Sequence, residues 1–404
     1  MPASSVTRAA RLSAATRDWR HTALLGAVLF SAGFLLPADH ALVVFPFDRY
    51  GEAFVHGAIP YRDFYVEYPP GAISIFTLPA LVPGHYELAF RFLQLLFGVT
   101  LVALVAFLVR YRSSVTRVAG PLVVGAMPFL LGPVVFFRYD LWPALLVTAS
   151  LLALERRGHA LAGSALGAAV AAKIFAVVLL PLFLAVALAR SERAARRLVA
   201  GFIAGGAVFA LPFVLLGPGG VAFSLRSQFG RGLQIESLGG SALLFLHTVG
   251  IGRPVILFRS GSLNVVGGLA DALAVAESVA LVAVVVAISV ACWRRRGDLD
   301  PRLVSAALVL ATIVFAKVLS PQYLVWIVPL VAICETTGGG VLVLLCVVLG
   351  LSQLVYPTLY DQLVAGEVVP SVLLVTRNVL LFVVMLVTVR AAVGAHHREP
   401  AVGG

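Results

Sequence analysis

Long apolar stretches recur along the chain, and polar residues gather in the gaps between them. A helix needs roughly 20 apolar residues to cross a bilayer, and fewer where it is short or broken. The pattern predicts twelve membrane-spanning helices. They fall at 22–44, 88–110, 118–136, 140–156, 159–173, 174–190, 197–217, 268–293, 303–318, 322–335, 340–354 and 371–393. A further apolar run at 71–83 is bounded by prolines and is too short to cross, so we expect a re-entrant or interfacial segment.

Arginines mark the gaps on one side of this pattern. Clusters fall at 110–117, 156–157, 190–197 and 294–302. Cytoplasmic loops are enriched in basic residues, and with twelve spans all of these clusters and both termini fall on the cytoplasmic side. The sequence therefore predicts a multi-pass protein of a bacterial cytoplasmic membrane.

The predicted organisation is a single membrane domain over 22–394, between short cytoplasmic tails at 1–21 and 395–404. No polar stretch is long enough to fold independently. The outer face receives three long loops, at 45–87, 218–267 and 355–370. Most of the residues that could carry chemistry lie in or beside these loops.

Composition supports a membrane protein. Hydrophobic residues make up 60% of the chain and charged residues 12%, against roughly 25% charged in a soluble domain. The net charge of +11 is explained by cytoplasmic loops, so no nucleic-acid partner is predicted. Lys173 and Lys317 are the only lysines, and both lie in or beside apolar segments. A charge at membrane depth costs at least ~2.5 kcal/mol, so each lysine either snorkels to the headgroups or binds an anion.

The first outer loop combines three carboxylates, Asp48, Asp63 and Glu67, with several aromatic residues. Aromatic residues alone are ordinary interface anchors, and the prolines and glycines are ordinary turn formers. Asp48 is the most informative of the three carboxylates. It follows an apolar run where a helix meets the outer interface, which suits a general base.

Three motifs in this loop resemble those of glycosyltransferase family 87. They are Asp-x-Tyr at 48–50, Gly-x-x-Pro-Tyr-x-Asp-Phe at 57–64 and Glu-Tyr-Pro-Pro-Gly at 67–71. Family 87 comprises polyprenyl-phosphate-mannose-dependent mannosyltransferases of the GT-C superfamily. The resemblance continues at 137–143, 172–181, 231–237 and 317–323, although Phe175 stands where the family often has proline.

The resemblance implies an all-α polytopic GT-C fold of about twelve transmembrane helices, with short re-entrant or interfacial helices in its long outer loops. It also implies transfer of a sugar, mannose by analogy, from a polyprenyl phosphate to a glycolipid or glycan acceptor, with inversion. Asp48 is the implied base. Negative charge grows on the departing phosphate, and fixed cations would stabilise it.

Five basic residues are candidates for binding the donor phosphate: Arg138, Lys173, Arg231, Lys317 and Arg377. Structural roles stay open for them: Arg138 could pair with Asp140, and Arg231 could be solvated. Nine residues are candidates for binding sugar or acceptor: Tyr50, Tyr61, Asp63, Glu67, Tyr68, Gln234, Glu236, Gln322 and Tyr323. Of these, Asp63 and Glu67 could instead brace the loop through Arg62 or Arg49.

A lipid-phosphate donor carries one phosphate rather than a diphosphate, so we predict neither a metal site nor a cofactor. The expected partners are the donor, the acceptor and membrane lipids. The alternative is a secondary transporter or a flippase for lipids or lipid-linked sugars. Paired inverted halves are not recognisable in the sequence, and the polar residues cluster at one interface rather than at the midplane.

Overall fold

The computed structural model describes residues 19–37, 46–295, 299–335 and 339–394. Helices dominate these ranges, which confirms the predicted all-α polytopic class. The first helix, α1, covers 19–32. The segment 38–45, which includes the end of the first predicted span and the start of the first outer loop, lies outside the described residues, as do most of the N-terminal tail and the whole C-terminal tail.

The helices that follow α1 are short in the loops and longer in the apolar segments. They are α2 (Phe47–Val55), α3 (Ile73–Ala80), α4 (Tyr86–Val109), α5 (Ser114–Gly125), α6 (Met127–Leu131), α7 (Val134–Phe137), α8 (Leu141–Glu155), α9 (His159–Ala172), α10 (Leu180–Leu188), α11 (Glu192–Leu216), α12 (Pro218–Phe229), α13 (Leu238–Thr248), α14 (Gly268–Arg294), α15 (Pro301–Val314), α16 (Val328–Ala332), α17 (Gly340–Gln353), α18 (Tyr360–Val364) and α19 (Val368–Gly394).

Five helical segments of the described chain are long and apolar enough to cross a membrane: α4, α11, α14, α17 with its continuation to Thr358, and α19. Their bounds lie within a few residues of the predicted spans. Other predicted spans are broken. The run at 118–136 is divided into α5, α6 and α7, with Gly132 at φ +77° ending α6, and the runs at 174–190 and 322–335 contain 3₁₀ turns. The number of crossings stays a prediction.

Glycines bring α9 and α11 into backbone contact. A Cβ atom added at Gly163 would lie 2.0 Å from the Leu198 carbonyl oxygen, and one at Gly205 would lie 2.0 Å from the Ser164 carbonyl oxygen. Small residues spaced four apart let two membrane helices approach this closely. Because the contacts run in the same order along both helices, α9 and α11 are parallel.

Ion pairs join several interhelical loops at one end of the bundle. The Arg112 guanidinium lies 3.4 Å from the Glu335 carboxylate, and Arg302 pairs with Glu155 through two hydrogen bonds. The loops that carry the candidate functional residues lie at the opposite end of the connecting helices. The structure thus separates the two groups of loops, while their assignment to the two sides of the membrane stays a prediction.

The second outer loop folds into a small antiparallel sheet that the sequence analysis did not predict. Its strands are β1 (Leu233–Gln234), β2 (Val255–Arg259) and β3 (Ser262–Val266), in the order β1-β3-β2. Ser260 and Gly261 join β2 to β3, both with positive φ, as a two-residue hairpin turn of type I′ requires.

Candidate active site

Lys173 lies immediately after the last residue of α9, where the chain leaves the helix with extended backbone angles. Its ammonium nitrogen lies 2.5 Å from Oδ1 of Asp140, at the start of α8. Trp326 Nε1 donates to the same oxygen at 2.7 Å. The side chains of Lys173 and Asp140 are only 14% and 2% exposed. A buried charge needs such a partner, so the pair accounts for a lysine at this depth.

Three aromatic rings surround the Lys173 ammonium. Its nitrogen lies 4.6 Å from the ring centre of Tyr139, 4.8 Å from that of Tyr323 and 4.9 Å from that of Trp326. Phe175 stacks on Trp326 at 3.9 Å, which fixes the indole in place. Cation–π attraction at this range adds to the ion pair. We call Lys173, Asp140, Tyr139, Tyr323 and Trp326 the lysine cluster.

The first outer loop packs directly against this cluster. A Cβ atom added at Gly71 would lie 2.5 Å from the backbone nitrogen of Ala172, so only glycine allows the loop to approach the end of α9. The Tyr68 ring meets the Tyr139 ring edge-on at 5.5 Å. Burial raises the pKa of the Tyr68 phenol above its ordinary value, and the nearby Arg138 guanidinium opposes that shift. Arg138 and Tyr68 therefore lie beside the lysine cluster.

Helix α12, from the second outer loop, holds the first loop in place. Ser224 Oγ donates to the carbonyl oxygens of Glu67 and Tyr68, each at 3.1 Å. Gln228 Nε2 donates to the Glu67 carbonyl oxygen at 2.6 Å. Sequence reasoning missed Ser224 and Gln228, since a serine and a glutamine in a loop carry no distinguishing signal.

The Tyr50 hydroxyl lies near the Glu67 carboxylate. Burial raises the pKa of Tyr50, and the charge of Glu67 raises it further.

Tyr61 and Asp63 shape the middle of the first loop. Tyr61 adopts a positive φ of 68°, and its hydroxyl donates to the Tyr68 carbonyl oxygen at 2.6 Å. The Asp63 carboxylate accepts hydrogen bonds from Arg62 and from the Ile59 backbone, and these lower its pKa to about 2. This is the bracing arrangement that the sequence left open for Asp63.

Asp48 lies in the first turn of α2 and is half-buried. The Asp48 and Glu52 carboxylates both interact electrostatically with the Tyr86 hydroxyl. Since Tyr86 is the first residue of α4, this flank of α2 faces the start of α4. Tyr50 is two residues further on, about 200° around the helix axis, and projects from the other flank towards Glu67. Asp48 and Tyr50 thus share a helix turn but face different neighbours.

A second group of predicted residues lies around β1. The Gln234 backbone nitrogen donates to the Lys317 carbonyl oxygen at 2.9 Å, and Gln234 Nε2 donates to Ser320 Oγ at 3.2 Å. Lys317 Nζ donates to the Phe229 carbonyl oxygen at 2.8 Å, and Arg231 Nη2 donates to Ser262 Oγ at 3.0 Å.

The segment after Lys317 continues into the 3₁₀ helix Pro321–Trp326, which carries Gln322, half-buried, and Tyr323. This short segment links the group around β1 to the lysine cluster.

Glu236 and Arg377 form a third, enclosed group. Arg377 is 0% exposed, and its Nη2 atom donates to the Glu236 carbonyl oxygen at 3.0 Å and lies 3.7 Å from the carboxylate. Asn378 Nδ2 donates to the carbonyl oxygens of Glu236 and Ser237. Burial raises the pKa of Glu236 to about 7, although the Arg377 charge opposes the shift. These contacts link the segment that follows β1 to α19.

Comparisons with known proteins identify a family for this chain. The family model "Glycosyltransferase family 87" matches residues 65–321, which is more than half of the chain. A search of curated proteins found no match. Among solved structures, the chain is similar to the crystal structure of ArnT from Cupriavidus metallidurans bound to undecaprenyl phosphate. The identity is 15% and the TM-score 0.48, over 92% of this chain and 77% of that one. On the family match, this chain belongs to glycosyltransferase family 87 and is a membrane glycosyltransferase.

Proposed function

We propose that this enzyme moves a sugar, mannose on the family resemblance, from a polyprenyl-phosphate donor to a glycolipid or glycan acceptor at the outer face of the cytoplasmic membrane. The observation that carries the proposal is the lysine cluster. It holds a buried cation, paired with Asp140, beside Arg138 and a loop rich in hydroxyl and carboxylate groups. A phosphate head group and a sugar need these two kinds of neighbour.

In the proposed reaction Asp48 acts as general base. A carboxylate oxygen takes the proton of the acceptor hydroxyl while that oxygen forms a bond to the anomeric carbon of the sugar. The bond from that carbon to the donor phosphate oxygen breaks, and the phosphate leaves with the electron pair. Attack opposite the leaving group inverts the anomeric centre.

Negative charge on the phosphate increases during this step, so fixed cations lower the barrier. We assign that role to Lys173 and Arg138 at the lysine cluster, with Lys317 and Arg231 nearer to β1. We assign the binding of sugar or acceptor hydroxyls to Tyr50, Glu67, Tyr68, Gln234, Gln322 and Tyr323. Tyr61 and Asp63 act by shaping the loop that carries them.

The central test is Asp48→Asn, with Glu52→Gln as the matched control. Both residues lie on the same flank of α2, one turn apart, and both act on Tyr86. A positioned general base typically contributes 10²- to 10⁴-fold to a rate. We expect Asp48→Asn to lose at least about 10²-fold in transfer from polyprenyl-phosphate-mannose in proteoliposomes, while Glu52→Gln keeps the wild-type rate.

Two outcomes would contradict parts of this proposal. Full activity of Asp48→Asn together with loss in Glu67→Gln would move the base to Glu67. Equal rates of sugar transfer from a nucleotide sugar and from the lipid donor would contradict the proposed donor class. Cysteine labelling at position 63 in intact cells checks the orientation, since we expect access from outside only.

A further inference from the structure

An open groove with a volume of about 590 Å³ runs along α14. Its wall is a stripe of four valines, with alanine and serine side chains between them, and Lys317 also lines it. The valines are Val275, Val279, Val282 and Val286, which are 52–63% exposed. Their spacing of three or four residues places them on one face of the helix. The groove is therefore apolar along its length and cationic at one place.

The cation lies at the outer end of this groove. Helix α14 begins directly after β3, so its first turns lie at the outer sheet. Lys317 is fixed at the same level, because its carbonyl oxygen accepts from Gln234 of β1 and its ammonium donates to the Phe229 carbonyl oxygen at the end of α12. From Val275 to Val286 the helix rises roughly 17 Å, about half of the hydrocarbon thickness of a bilayer. The stripe thus covers the depth of about one leaflet below the cation.

This arrangement matches an amphiphile with a long apolar tail and an anionic head. The Phe229 carbonyl oxygen uses one of the three N–H donors of the Lys317 ammonium, which leaves donors for an anion. A continuous stripe of small and β-branched side chains offers a smooth surface to a hydrocarbon chain. Tight-binding pockets for polar groups have more convergent polar side chains than the single serine and single lysine of this groove.

We propose that the α14 groove holds the isoprenoid tail of the donor, with its phosphate passing Lys317 on the way to the lysine cluster. This inference rests on the proposed function, since it locates the donor class named there. Lys317 is six residues before Tyr323, and Tyr323 contacts Lys173. The segment between them joins the Lys317 end of the groove to the buried pair.

The test uses a polyprenyl phosphate with a photoreactive diazirine in its tail, bound to the full-length protein in phosphatidylcholine nanodiscs. Val279→Trp fills the groove, and Val208→Trp is the matched control. Val208 is 72% exposed on α11, another long apolar helix, and lies outside the groove. We expect labelled peptides from α14 in the wild type. In Val279→Trp we expect about tenfold weaker probe binding, equivalent to roughly 1.4 kcal/mol. Val208→Trp should bind as the wild type does.

Transfer kinetics give a second readout that depends on tail length. Val279→Trp should raise KM for a long-chain mannosyl donor by about tenfold, by the same conversion, and leave kcat/KM for a donor of two isoprene units unchanged. Lys317→Gln should weaken binding of the phosphate probe more than binding of a neutral polyprenol probe.

Three results would overturn the groove assignment. They are labelling that maps away from α14, equal probe binding by Val279→Trp and wild type, and displacement of the probe by phosphatidylglycerol as effectively as by polyprenyl phosphate. In each case, transfer from the lipid donor by the wild type would leave the proposed function standing. Conversely, groove labelling in a protein that transfers nothing from the lipid donor would contradict the proposed function alone.

Discussion

Replacing Asp140 by asparagine would leave the Lys173 ammonium buried without its counter-ion. The amide oxygen of asparagine can still accept from Trp326 Nε1, so the shape of the site and this hydrogen bond are kept. Removing one partner of a buried pair typically costs about 3–5 kcal/mol. The three aromatic rings around the ammonium are the same in the wild type and in the variant, so they do not change this difference. We therefore expect Asp140→Asn to lower the free energy of unfolding by about 3 kcal/mol.

The assay is a double-mutant cycle in mixed micelles, in which SDS titration gives the free energy of unfolding. Because Lys173→Met removes the orphaned charge, the double variant should recover most of the stability lost in Asp140→Asn. The coupling energy should reach about 1–3 kcal/mol. Glu155→Gln breaks the Arg302 pair at the other end of the bundle, where the carboxylate is 24% exposed against 2% for Asp140, and serves as the comparison variant. Additive effects of Asp140→Asn and Lys173→Met would refute the reasoning.

Other predictions concern close packing and pH. Gly71→Ala places a methyl group against Ala172 and should impair transfer by displacing Lys173, whereas Gly219→Ala, whose Cβ has open space, should be silent. Gly205→Ala should cost about 1–3 kcal/mol of unfolding free energy by overpacking the α9–α11 contact, and Gly350→Ala, which also faces open space, should not. Since the folded pKa of Glu236 is about 7 against an ordinary 4.5, stability should fall by at most about 3 kcal/mol as pH rises from 4.5 to 7, and the decline should vanish in Glu236→Gln. Thermal melts across pH check this; a flat wild-type profile would contradict it.

Hydropathy predicted the long helices well because a membrane imposes one length on every crossing. It could not predict the breaks, since positive φ at Gly132 and the 3₁₀ turns depend on neighbouring helices. The outer sheet was also missed. Its first strand has two residues, and its turn is Ser260-Gly261 rather than the stronger Asn-Gly signal.

Family motifs named most of the residues described at the candidate site but did not indicate their pairings. Lys173 was predicted to be a cation of the site. Its partner in the structure is Asp140, which the sequence analysis considered only as an ion-pair partner of the adjacent Arg138. Arg377 was predicted to bind phosphate, whereas the structure encloses it against Glu236, 141 positions away in sequence. We infer that Arg377 acts by fastening β1 and so the Gln234–Lys317 contact. Pairings of this kind arise from tertiary packing, which one sequence does not encode locally.

The contact between α9 and α11 also bears on how the enzyme moves. Glycines have no side-chain rotamers to immobilise, so the two helices associate without that entropic cost and leave little freedom to slide. One of these helices delivers Lys173, and the other leads into α12, which holds the first outer loop. Helices α9 and α11, with the first outer loop that α12 holds, are thus expected to behave as one stiff body. Opening for substrate entry and product departure should therefore fall to helices outside this contact, and hydrogen exchange should be slowest where α9 and α11 meet.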